Sequence, residues 1–176
     1  MNGQHALMKI KLLGYGLITY LLTSCGFHLR GMIDMPTWLN NVTIVVQQGH
    51  RDLAPLIKEQ LQSYKIYVNP DTTKASYWLV IEHDDISQNI TSVSSSTTPR
   101  QYQLIYNLRF QLMRPNGKIL MPSNQVAVTR QITINSDRIL GSTEEEELLK
   151  SEMRRDAVMQ VINRLSRITP DQRESA

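Results

Sequence analysis

The sequence predicts an α+β fold: a two-layer sandwich with two helices packed on one face of a mixed, mainly antiparallel four-stranded sheet. Three observations carry that expectation. Tyr102, Leu104, Tyr106, Leu108, Phe110 and Leu112 alternate with Gln103, Ile105, Asn107, Arg109 and Gln111, and period two over such a length means a strand with one buried face. Leu53, Leu56, Ile57, Leu61 and Tyr64 form one apolar stripe at helical spacing, and Leu149, Met153, Ala157, Val158, Val161, Ile162 and Leu165 form a second. Pro115-Asn116-Gly117 supplies a hairpin turn, because Asn-Gly accepts positive φ at low cost. Two helices suffice to cover one sheet face. The other face, with Gln103, Asn107, Arg109 and Gln111, is polar enough to meet water or a wet partner surface.

The elements follow in order. Thr43–Gln47 is β-branched and reads as a first strand, ended by Gly49. Asp52 is placed to cap the first helix, which carries Pro55 in its first turn, where proline is tolerated. Ile66–Val68 offers a short extra strand before the Asn69-Pro70-Asp71 turn. Tyr77–Ile86 is the second major strand, and Ser92–Pro99, rich in serine and threonine, reads as a loop. The long alternating strand returns through the Asn-Gly turn as a strand over Ile119–Ile134. Pro122 marks a bulge or an edge in it. Ser142 and Thr143, each followed three residues later by Glu145 or Glu146, carry a capping-box signature for the last helix.

The amino terminus has a different character. Cys25 is the only cysteine among the 176 residues, and it follows Leu22-Thr23-Ser24. The apolar stretch Leu12–Leu22, with Lys9 and Lys11 upstream, has the length of a signal h-region. It falls short of the about 20 apolar residues that span a bilayer. This layout predicts a lipoprotein signal over residues 1–24, cleaved so that Cys25 becomes the lipidated first residue. That cysteine is then a membrane anchor rather than a disulfide half or a catalytic thiol. Gly26, standing where Asp would signal inner-membrane retention, favours the outer membrane. Residues 25–41 read as the lipidated terminus and an extended leader, 42–168 as a single domain, and 169–176 as a disordered tail.

Charge excludes one class of function. The chain carries 19 basic and 16 acidic residues. Removing residues 1–24 takes away two lysines and no acid, which leaves a net charge near neutral. Nothing there suggests a nucleic-acid surface, which needs clustered Lys and Arg on one face.

Catalytic and metal constellations are likewise missing from the pattern. His28, His50 and His83 are scattered without ligand spacing, and no second cysteine completes a zinc site. There is no nucleophile elbow and no glycine-rich phosphate loop. Glu82, Asp84 and Asp85 cluster, and paired carboxylates can do acid–base work, but a solvated strand end explains them more simply. The expectation is a non-enzyme with no cofactor beyond the covalent lipid. Arg130 stands out because Val126, Val128, Ile132 and Ile134 share its face. A charge there must snorkel, pair or meet a ligand. The plain reading is a bulge that turns Arg130 outward; the functional one is a contact to an anion, joined by Arg100, Arg109 and Arg138 from neighbouring segments.

The mature opening reads Cys25-Gly26-Phe27-His28-Leu29-Arg30-Gly31. It resembles the start of the LptE family of lipopolysaccharide-assembly lipoproteins. Gln101-Tyr102-Gln103 at the head of the long strand and an arginine in the return strand, here Arg130, match as well. The resemblance covers residues 25–168. It implies a two-layer domain seated in the lumen of the LptD outer-membrane β-barrel as plug and assembly aid, with lipopolysaccharide as ligand and no enzymatic activity. Gly26, Phe27, His28, Leu29 and Arg30 are then the leader motif at the barrel. Where relatives carry basic residues ahead of the long strand and of the last helix, this chain has Ser95 and Ser142. Arg100 and Arg138 are the nearby substitutes, with Arg130, as lipopolysaccharide contacts. On the residues alone, an unrelated outer-membrane lipoprotein serving barrel assembly or cell-wall binding stays open.

Overall fold

The alternating stretch forms the middle strand of a long three-stranded meander. The computed structural model of the protein describes residues 33–93, 99–133 and 139–169. Along the chain come β1 (Asn41–Gln48), α1 (Leu53–Ser63), β2 (Tyr67–Val68), β3 (Tyr77–Val93), β4 (Pro99–Met113), β5 (Ile119–Thr133) and α2 (Ile139–Leu165). The sheet order is β2-β1-β3-β4-β5. β1 pairs in parallel with both β2 and β3, whereas β3, β4 and β5 pair antiparallel in succession.

The sheet is mixed, as expected, but it has five strands rather than four, and two of its four pairings, β2–β1 and β1–β3, are parallel, so it is less antiparallel than the sequence predicts. The α1 crossover returns the chain beside β1 in parallel, and Tyr67–Val68 pairs there with Asn41 and Val42. β3 runs on to Val93 instead of stopping at Ile86, because its cross-strand partners on β4 continue back to Pro99. Ser92, Val93 and Pro99, read as loop from the sequence, are therefore strand, and residues 94–98 lie outside the described residues.

One phase change makes the longer β3 work. Its register slips between Ile81 and His83, so Glu82 is an extra residue without a partner on β4. Such a bulge reverses which parity faces inward. Leu79 and Ile81 face the core before it; Asp84 and Ile86 do so after it, opposite Leu108 and Tyr106. A second irregularity falls on β5, where Leu112 pairs with Met121 but Phe110 with Asn124. That is the Pro122 position, and β5 is an edge strand, so proline's missing N–H is tolerated there.

The core gathers between this sheet face and the two helices. Leu104, Tyr106, Leu108, Phe110 and Leu112 of β4 are fully buried with Leu53, Ile57 and Leu61 of α1 and Met153, Ala157, Val161 and Leu165 of α2. Leu39, ahead of β1, belongs to the same cluster, and Ile33, Met35 and Trp38 pack against it. Trp38 meets Tyr77 edge-on, with ring centroids 5.2 Å apart. The described residues belong to one compact unit that begins at Ile33.

The helix ends differ from the sequence expectation in instructive ways. Asp52 does occupy the N-cap of α1, yet its side chain makes no capping bond; its backbone carbonyl accepts from Leu56 at 3.1 Å. At the other end, Lys65 has φ +63, Ile66 N–H reaches Leu61 O at 3.0 Å and Lys65 N–H reaches Gln62 O at 2.9 Å. This is the Schellman arrangement, with a lysine at the position usually given to glycine. α2 starts at Ile139, so Ser142 and Thr143 lie inside its first turns rather than at its N-cap position.

Candidate functional site

Several of the residues singled out from sequence lie outside the described residues: Cys25, Gly26, Phe27, His28, Leu29, Arg30 and Arg138. Arg100 sits at the head of β4, one residue before the Gln101–Thr133 pair. Arg130 pairs across from Leu104. At about 3.4 Å per residue, four residues of strand separate the Arg100 and Arg130 rows by roughly 14 Å. They stand on separate rows of the sheet.

Arg130 also corrects its plain reading. The β4–β5 register is unbroken around it, so no bulge turns it outward. It keeps its place on the helix-facing side of the edge strand and reaches over to α2, where it forms an ion pair with Asp156. It also donates to the Thr129 carbonyl at 3.1 Å. Both members of the pair are about half exposed. Of the three fates open to a charge among apolar neighbours, pairing is the one adopted.

The acidic cluster is dispersed by the β3 bulge. Glu82 accepts from the Ser123 hydroxyl across the sheet at 2.5 Å. Asp84 turns to the helix side, taking the Tyr106 hydroxyl at 2.8 Å and the His50 backbone N–H at 2.9 Å. Asp85 turns to the opposite face and accepts from Asn107 at 3.1 Å. Each carboxylate is engaged by its own separate partner, and Asp84 lies on the other side of the sheet from Asp85. Burial, together with the Asp84 charge beside it, pushes the Tyr106 phenol above its ordinary range. Tyr106 is therefore a neutral donor. Arg154, 8% exposed on α2, adds a positive charge near it.

Among the described residues, neither helix packs on the sheet face away from the core. Cross-strand rows give its composition: Asn89, Gln103 and Gln131; Ser87, Ile105 and Thr129; Asp85, Asn107 and Ala127; His83, Arg109 and Gln125. Its hydrogen bonds run across three strands, since Gln125 donates to Asn107 at 3.0 Å and Asn107 donates to Asp85. His83 lies 3.9 Å from Asp85. The face was legible as polar in the alternation of β4, but its partners on β3 were hidden by the phase change at Glu82.

Among the described residues, no group of three or more His, Cys, Asp or Glu could hold a metal ion. No described helix is long and apolar enough to cross a membrane. A shallow cavity of about 390 Å³ opens between β1, β2 and α1, lined by Thr43, Ile44, Ala54, Pro55, Lys58, Val68, Asn69 and Pro70. It holds no convergent set of titratable groups.

Comparison with known proteins adds to this picture. The chain is 25% identical over 158 residues to the "LPS-assembly lipoprotein LptE" of Pectobacterium atrosepticum, covering 89% of this chain and 85% of that one. It is 28% identical to the protein of the same name from Yersinia pestis, covering 89% and 75%. Among solved structures, lipoprotein B from Nitrosomonas europaea superposes with a TM-score of 0.66 at 24% identity, covering 80% and 90%. Rare lipoprotein B from Shewanella oneidensis superposes with a TM-score of 0.62 at 19% identity, covering 72% and 94%. These two likenesses establish the fold. The model of the family described as "LptE: Lipopolysaccharide-assembly" matches residues 39–165, nearly all of the described domain, and the chain belongs to that non-enzymatic lipoprotein family.

Proposed function

We propose that this chain is the lipid-anchored subunit of a lipopolysaccharide translocon, seated as plug and assembly factor in the LptD β-barrel and contacting lipopolysaccharide. The family match across residues 39–165 carries the proposal. In this reading Cys25 takes the lipid, and the leader from Gly26 to Pro36 spans from the inner leaflet of the outer membrane to the barrel. A barrel of more than about 20 strands encloses a wide aqueous lumen, and a domain with one uncovered polar sheet face suits that interior. Arginine suits the phosphates of lipid A because its planar fork binds them bidentately. Arg100 and Arg138 are the proposed contacts, and Arg130 can join them when its pair with Asp156 opens.

The test is affinity capture of the lipidated chain from detergent-solubilised outer membranes. A large β-barrel recovered in near-equimolar amount, with lipopolysaccharide, is the expected result. Recovery of the chain alone, or with cell-wall fragments, overturns the proposal.

A further inference from the structure

We propose that the open edge of β1, beside the end of β2, docks an extended acidic segment of another protein, which joins the sheet there as an added strand. The proposal is independent of the translocon reading and adds a peptide site to the domain.

Hydrogen-bond parity locates the edge. The Asn40 and Val42 carbonyls accept from Tyr67 and Asn69 on the β2 side, at 3.0 and 2.8 Å, whereas the Asn41 carbonyl accepts from Ser76 on the β3 side at 3.1 Å. Backbone groups alternate sides from one residue to the next along a strand. Ile44 and Val46 therefore turn their N–H and C=O groups away from β3. β2 pairs only with Asn41 and Val42, and Pro70 follows Asn69, so β2 stops short of them. Among the described residues, no hydrogen bond reaches Ile44 or Val46 from that side. A row of unpaired strand groups is a template for another strand.

The opposite edge of the sheet is closed. On β5 the Ala127 carbonyl accepts from Gln160 of α2 at 3.4 Å, the Thr129 carbonyl accepts from Arg130, and Pro122 has no N–H to offer. Strand addition is thereby directed to β1.

The surroundings of that edge set what the incoming strand carries. The cavity of about 390 Å³ lies along it, walled by Ala54 and Pro55 of α1 and by Val68 of β2. Such walls suit small apolar side chains, which a strand presents to one face at every second residue. Lys58 stands at the same cavity, is exposed, and has no ion pair among the described residues. No carboxylate is among the described residues that line the cavity. An acidic residue on the incoming segment supplies the missing partner. A second copy of the chain fits poorly, because it brings another Lys58 and a β1 without a carboxylate.

The experiment uses the full lipidated chain in detergent micelles and a synthetic probe, a blocked peptide that alternates valine and threonine between two glutamates. Amide hydrogen exchange is read by NMR. In the free chain Ile44 and Val46 should exchange quickly, and Thr43 and Val45, which face β3, slowly. Saturating probe should slow Ile44 and Val46 by about tenfold or more. Methylating alternate amide nitrogens of the probe should abolish the effect in one phase and spare it in the other, a result that needs no variant of the chain to fold. Lys58→Glu should weaken probe binding about two- to fivefold. Exchange at Ile44 and Val46 that the probe leaves unchanged overturns the proposal. So does their protection in the free chain: a second copy holds the edge if that protection grows with protein concentration, and the chain covers its own edge if it does not. Equal binding of a probe with lysines in place of the glutamates overturns the acidic assignment.

Discussion

The Tyr106 hydroxyl donates to one oxygen of Asp84 at 2.8 Å, and the other oxygen of that carboxylate accepts the backbone N–H of His50 at 2.9 Å. Asp84 thereby ties the middle strand of the meander to the turn between β1 and α1. Tyr106 itself is fully buried and Asp84 half-buried, so the bond is partly shielded from water.

Tyr106→Phe should cost about 1–2 kcal/mol, since it leaves the Asp84 carboxylate short of a donor. Urea midpoints at pH 7 would show it. The phenol is raised first by burial and then by the Asp84 charge. A proton held more tightly in the folded state stabilises the fold fully below the unfolded phenol's value of about 10. That contribution is lost as the pH rises further, because only the unfolded state then ionises. The gap between parent and variant should narrow between pH 9 and pH 11, and a constant gap would contradict the assignment.

Gly49→Ala should destabilise by about 1–3 kcal/mol through overpacking. A Cβ at that position would stand 2.8 Å from Val46 Cγ1 and 3.2 Å from Leu53 Cδ1. Val46 is held in a strand and Leu53 in the core, so neither moves freely. A thermal melt equal to the parent's would mean that they do.

The Arg130–Asp156 pair is half exposed, and solvent screening limits what it adds. A double-mutant cycle of Arg130→Gln and Asp156→Asn, read by chemical denaturation, should give a coupling of about 0.2–1 kcal/mol. The coupling should shrink in high salt. A value of several kcal/mol would show a pair far better shielded than its exposure indicates.

Arg100→Ala combined with Arg138→Ala should reduce lipopolysaccharide capture while leaving the melting curve unchanged. Capture equal to the parent's would remove both residues from the proposed contacts.

Cys25→Ala should leave the chain without lipid and shift it from the membrane fraction to the soluble periplasmic fraction, as judged by fractionation and intact mass. Membrane retention of the unlipidated variant would count against the anchor.

Much of the architecture was legible without coordinates. The period-two run over residues 102–112 names the buried face of β4, and the stripes on α1 and α2 name what covers it. Apolar residues must leave water together, so their spacing reports the local geometry. The Cys25 box is an expectation of a different kind: a lipoprotein signal is read as linear sequence, without a fold. The tertiary structure alone decided the rest. The pairing of Tyr67–Val68 with β1, the extension of β3 to Val93, the parity reversal at Glu82 and the choice of Asp156 as partner for Arg130 all join residues distant along the chain. The capping residues near Ser142 misled for the same reason, because α2 extends back to Ile139. Local periodicity records which side of an element is apolar, but which neighbour fills that side is settled only when the chain packs.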